Sequence, residues 1–232
     1  MSDKITFEKF LRFFVIAVLY ASILFASITR ASYTYSSRDA SSELNASLPY
    51  DEAWAHQFNL VHADLSYEAA REELEKSSCV FYAECSKRES AYGCTKYKMN
   101  VIKTIRGDCD ETSNDIVLYQ FAGFDYSDGN VSFLSQDNSM LLKEGKKYLL
   151  FAEKRNYHNE YQKTLNENEY SLNIAGALPS ALVVGEEQSE YIDISKAKKY
   201  GDIEHLYYAC FDEPSLRNIN EITQMLIKDY IY

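Results

Sequence analysis

The chain has 232 residues, 46% hydrophobic and 25% charged, with 24 Lys and Arg against 35 Asp and Glu for a net charge of −11. This composition excludes wholesale disorder, and 3 Pro and 8 Gly exclude collagen-like or Pro/Gly-rich low-complexity chains. The acid excess argues against nucleic acid as a partner, because that affinity comes mostly from neutralising phosphates with Lys and Arg.

The chain opens with Lys4, Lys9 and Arg12, followed by an uncharged run from Phe13 to Thr29 and then Arg30. Those 17 residues sit at the short limit of about 17–25 for a membrane span and exceed the roughly 7–15 of a signal-peptide core. The run is apolar all round, unlike a core helix with one polar face. Residues 1–32 therefore read as a signal anchor or a signal peptide. The basic bias places the N-terminus inside and the remainder outside. The expected localisation is the cell membrane, single-pass with the domain outside, or secretion. Residues 33–58 read as a flexible tether, since Ser32–Leu48 is rich in Ser and Asn and follows no period. The sequon Asn45-Ala46-Ser47 has meaning only in a eukaryotic secretory pathway.

Residues 59–232 form the outer domain. Ala63–Ser77 carries helix formers, with Leu60, Tyr67, Ala70 and Leu74 on one stripe. A short strand Cys79–Cys85 follows. Lys96–Arg106 alternates most cleanly: Tyr97, Met99, Val101 and Ile105 point one way, and Lys96, Lys98, Asn100, Thr104 and Arg106 the other. Further strands are expected at Asp115–Gly123, Lys146–Lys154 after a Glu144-Gly145 turn, and Glu169–Gly176, which Ala181–Gly185 extends or follows. Pro214–Tyr230 reads as an amphipathic helix with Leu216, Ile219, Ile222 and Leu226 as its stripe.

Catalytic and metal signatures are sparse, and no catalytic residue, metal ligand or cofactor is assigned. Ser195-Lys196-Ala197-Lys198 has S-x-x-K spacing without its companion motifs and reads as a lysine-rich turn. His158-Asn159-Glu160 lacks the P-C-x-x-C half of a zinc deaminase. A calcium loop starting at Asp125 fails, because its glycine comes one position early and Gln136 replaces the bidentate Glu. The cysteines at 79, 85, 94, 109 and 210 contain no C-x-x-C pair. Outside the membrane, Cys85 and Cys94 would close a short connection as a disulfide. The other reading is that all five are buried, reduced hydrophobes.

Basic residues concentrate at Lys87, Arg88, Lys96, Lys98, Lys103 and Arg106, with Glu89 the one acid among them. The stripe Lys96, Lys98, Asn100, Thr104 and Arg106 is either a ligand face or a solvated strand face that discourages edge pairing. Its partner would be an anionic envelope polymer, a lipid headgroup or an acidic protein.

A helix, a Cys-containing strand, Tyr97–Asp108 (YKMNVIKTIRGD), the Ile116-Val117-Leu118 strand and Leu142–Ala152 (LKEGKKYLLFA) follow one another in an order that resembles the netrin-like module. That module is shared by tissue inhibitors of metalloproteinases and related extracellular proteins. The resemblance spans roughly residues 77–175 and implies a five-stranded Greek-key barrel of OB type outside the cell. The inhibitors bind a protease zinc through an N-terminal cysteine and its amine. Here the first cysteine, Cys79, lies far inside the chain, and no inhibitory residue carries over. The expected fold is mainly β (α+β): a five-stranded OB-like Greek-key barrel with flanking N- and C-terminal helices, preceded by one transmembrane or signal helix. The expected function is that of an extracytoplasmic binding protein. The alternatives are an envelope enzyme with an unrecognised site, or an inhibitor-like or assembly-partner module.

Overall fold

The computed structural model describes residues 18, 22, 43–48, 60–91, 94–107, 115–125, 131–135, 140–155, 168–173 and 178–232. Two compact units divide the chain, Met1–Arg38 and Asp39–Tyr232. In the first, Val18 and Ser22 are helical, and the Ser22 hydroxyl donates to the Val18 carbonyl at 2.8 Å. The rest of the expected anchor or signal helix lies outside the described residues. No helix among the described residues is long and apolar enough to cross a membrane.

In the second unit, helix α1 (Tyr67–Glu75) starts where the Ser66 hydroxyl accepts the Ala69 N–H at 3.1 Å, and it buries Ala70 and Leu74. It leads into a long antiparallel hairpin of β1 (Cys79–Ala91) and β2 (Cys94–Arg106). There follow β3 (Asp115–Gln120), β4 (Ala122–Asp125), β5 (Ser132–Ser135), β6 (Lys147–Lys154), β7 (Glu169–Leu172) and β8 (Ala181–Val183). Two 3-10 turns, Ile194–Lys196 and Tyr200–Asp202, precede helix α2 (Glu213–Tyr230).

The strands run β1-β2-β3-β7-β6, and β6 pairs back onto β1 to close a five-stranded ring. Only β3–β7 is parallel; the other ring pairs are antiparallel. The neighbours β6-β1-β2-β3 repeat the Greek-key order, and β7 closes the gap between β3 and β6. This is an OB-like barrel in an α+β domain, as expected. β8 pairs with β6 at Tyr148–Leu150, beyond the end of β7.

Burial follows the sequence pattern where one face is wet. Ile116, Leu118 and Gln120 are the buried positions of β3, the period-2 signature. In β6, Tyr148–Ala152 is buried throughout, as befits a strand covered on both faces; Phe151 meets Tyr230 of α2 edge-on at 6.3 Å. Leu216, Ile219, Ile222 and Leu226 of α2 join this barrel core.

A second core gathers Phe124 of β4, Phe133 of β5, Leu141, Tyr200, Ile203 and Leu206. Ala46 and Leu48 belong to it, so the expected tether is part of the fold at 43–48. The Ser47 N–H donates to Val131 at 2.7 Å, the Phe133 N–H donates to Ser47 at 3.0 Å, and the Tyr200 N–H donates to Ala46 at 2.9 Å. A stretch of six residues is too short to display a period, which is why its polar neighbours dominate the sequence.

Two strand expectations also change. β1 continues past Cys85 to Ala91, because Lys87–Ala91 pairs with β2 after a bulge at Ser86, and 86–90 buries no apolar row. The strand expected over Asp115–Gly123 divides into β3 and β4 around Phe121.

Candidate functional site

The β2–β3 face carries a groove of about 260 Å³ lined by Lys87, Glu89, Lys96, Lys98, Asp115, Ile116 and Val117. Strand register builds it. Lys98 lies opposite both Lys87 on β1 and Val117 on β3, and Lys96 lies opposite Glu89. Two lysines directly across a pair of strands repel each other, and each is matched locally: Lys87 with Glu89 at 2.7 Å and Lys98 with Asp115 at 2.8 Å. Lys96 has no ion pair among the described residues. The hydrogen bond from Lys87, helped by the charges of Lys87 and Lys96, holds Glu89 below its usual carboxylate range.

The structure does not hold the five stripe residues together. Lys96 and Lys98 line the groove. Asn100 and Thr104 are exposed further along β2. Arg106 turns away to α1, donating to the Glu75 carbonyl at 2.6 Å and the Ser77 carbonyl at 3.4 Å, which satisfies free carbonyls at a helix end. Lys87 and Asp115 complete the groove from neighbouring strands. The basic run already contained Lys87, but only register shows that it faces Lys98.

The Cys85–Cys94 disulfide does not form in this register. Cys85 lies opposite Met99, while Cys94 lies opposite Ala91. Cys94 and Met99 are five positions apart on β2, about 16 Å at strand rise, against a limit of about 7 Å between bridged Cα atoms. The two cysteines belong to one continuous hairpin, with no loop between them of the kind the short first strand implied. Cys79, Cys85, Cys94 and Cys210 are free thiols, and burial pushes the Cys85 thiol up to about 12.

A larger cleft, about 550 Å³, is lined by Arg88, Leu141, Lys143, Glu144, Tyr200, Glu204 and His205. It lies where β1, the turn into β6 and the Tyr200–Asp202 turn meet. The Arg88 guanidinium pairs with Glu43 at 3.2 Å, and the Arg88 N–H donates to Glu144 at 2.7 Å. The Lys143 ammonium donates to the His205 carbonyl and lies 3.9 Å above the Tyr207 ring. Burial lowers the Lys143 pKa. Below the cleft, the Tyr97 hydroxyl donates to Gln120 at 2.8 Å and accepts the Leu142 N–H at 3.2 Å. Gln120 in turn donates to Met140 at 3.3 Å, which pins the turn to the barrel.

The S-x-x-K spacing has a local explanation. Asp193 accepts the Ser195 hydroxyl at 2.6 Å and its N–H at 3.1 Å, capping the 3-10 turn, and Lys196 pairs with Asp193 at 2.9 Å. Among the described residues no three His, Cys, Asp or Glu side chains gather closely enough to hold a metal. His158 and Glu160 lie outside the described residues. No protein-family model matches the chain, and no curated protein matches it in sequence.

Proposed function

We propose that the chain is an extracytoplasmic binding protein that holds a linear anionic polymer of the cell envelope across its β2–β3 face. On this reading the basic-flanked run Phe13–Thr29 anchors or exports the chain, and the barrel is kin to netrin-like modules. The observation that carries the proposal is the facing pair Lys87 and Lys98, with Lys96 beside them, on the face where OB barrels take oligomeric ligands. Exposed ion pairs contribute about 0–1 kcal/mol each, so a polyanion can displace Glu89 and Asp115 at small cost. Single-stranded nucleic acid fits poorly, because no aromatic ring lines the groove among the described residues, and Tyr119, opposite Lys96 on β3, already has the Arg155 guanidinium 4.2 Å over its ring.

The test changes Lys87, Lys96 and Lys98 together to Ser in the full chain and measures retention on purified envelope fractions across a salt series. The reading expects at least tenfold weaker retention at low salt and a flattened salt dependence. Unchanged retention, with the fold intact by circular dichroism, would overturn it. Retention that follows protein-free lipid vesicles and ignores the polymer fraction would assign the face to headgroups instead.

A further inference from the structure

We propose that the cleft over the second core is a second binding site, built for a small zwitterion that carries both a free amine and a free carboxylate. Its volume of about 550 Å³ falls within the roughly 300–1,000 Å³ of small-molecule sites, and the β2–β3 groove falls below that range. Its apolar floor is Leu141 and Tyr200, both buried in the second core. The Tyr200 ring is fixed edge-on to Phe124 at 5.0 Å.

Charges of both signs line this one cleft. Arg88 is held by Glu43 at 3.2 Å. Lys143 is held by the His205 carbonyl and the Tyr207 ring. Glu144 is fixed by the Arg88 N–H at 2.7 Å. Glu204 stands exposed on the turn after Tyr200–Asp202. Among the described residues Lys143 forms no ion pair with Glu144, Glu204 or any other carboxylate, although it shares the cleft with both.

A purely anionic guest would face Glu144 and Glu204, and a purely cationic one would face Arg88 and Lys143. A zwitterion answers both: its carboxylate takes the guanidinium and ammonium donors, and its amine takes the two carboxylates. The cations are already oriented by protein contacts, so less side-chain freedom is lost on binding. Burial lowers the Lys143 pKa against the opposing pull of Glu186 and Glu204, as suits a partly desolvated ammonium. Amino acids and short peptides with free ends both supply this chemistry.

The experiment titrates the full chain in detergent with alanine, trialanine, N-acetyltrialanine and trialanine amide, followed by calorimetry. Trialanine is expected to bind, with affinity falling at least tenfold when either end is blocked. Lys143→Met and Glu204→Gln should each weaken binding at least fivefold. Glu204 is exposed, so its variant keeps the test valid if Lys143→Met fails to fold. The Lys87, Lys96 and Lys98 triple variant should bind trialanine as the parent does, which separates this site from the β2–β3 face. Alanine binding as tightly as trialanine would support the site and name amino acids as its guests. Equal binding of the blocked peptides, no binding of alanine or trialanine at millimolar concentration, or indifference to both cleft variants would overturn the proposal.

Discussion

At Gly123 a side chain would have nowhere to go: an added Cβ would lie 2.8 Å from the Cys94 carbonyl oxygen and 2.9 Å from its carbon. Those atoms are backbone at the start of β2 and cannot rotate aside. Gly123→Ala should therefore cost about 1–3 kcal/mol, read as a lower urea midpoint with an unchanged slope. Asp212 acts through charge. Its carboxylate accepts the Ser215 hydroxyl and the Ser215 N–H at the start of α2, and the hydroxyl bond, followed by the N–H bond, lowers its pKa below 3.8. Folding lowers this pKa, so the stabilisation is complete above the unfolded value and fades as the pH falls through the folded one. The melting-temperature gap between wild type and Asp212→Ala should be constant at neutral pH and close in acid, below 3.8. A gap that widens in acid would contradict the cap. Neither role is visible in a list of residue types. Gly123 reads as an ordinary strand end, and only the crossing of β4 over β2 shows why it must be glycine.

Elements differ in how openly the sequence announces them. The stripe Leu216, Ile219, Ile222 and Leu226 was legible because an amphipathic helix repeats its apolar residues, and all four are buried. Removing most of one side chain tests the packing: Ile219→Ala, at a fully buried position, should cost about 2–4 kcal/mol in denaturant unfolding. The Glu43–Leu48 segment is the opposite case. Its contribution lies in backbone hydrogen bonds, in two buried apolar side chains, Ala46 and Leu48, and in one carboxylate, Glu43, which takes Arg88 at 3.2 Å and the Ser90 hydroxyl at 2.9 Å. Glu43→Ala should destabilise the domain by about 1–2 kcal/mol and raise amide exchange around Tyr200. Unchanged exchange there would mean that the segment only rests on the surface. The distal half of β1 was hidden for the same reason, since Lys87–Ala91 pairs with β2 through its backbone and 86–90 buries no apolar row.

For the whole molecule, the five ring strands were legible from alternation and turn residues, and ring closure followed only from the resemblance to the netrin-like module; β5 and the two-core layout were not legible. β4, β5 and the Tyr200 region contribute few residues each, and only their meeting makes a core. The candidate groove was half legible. Lys96 and Lys98 follow from period 2 along one strand, while Lys87 and Asp115 required knowledge of the neighbours on both sides. Arg106 fits the same alternation yet serves α1, because the hairpin end lies under that helix.

The most direct test of the polyanion reading is amide-shift mapping of the isotopically labelled full chain in detergent, titrated with soluble poly(glycerol phosphate). The account predicts shifts concentrated at Lys87, Lys96, Lys98 and Asp115–Val117 that fade as salt is added. Shifts centred on Asn100–Arg106 or on the cleft lined by Arg88, Lys143 and Glu204, or no shifts at low salt, would contradict it.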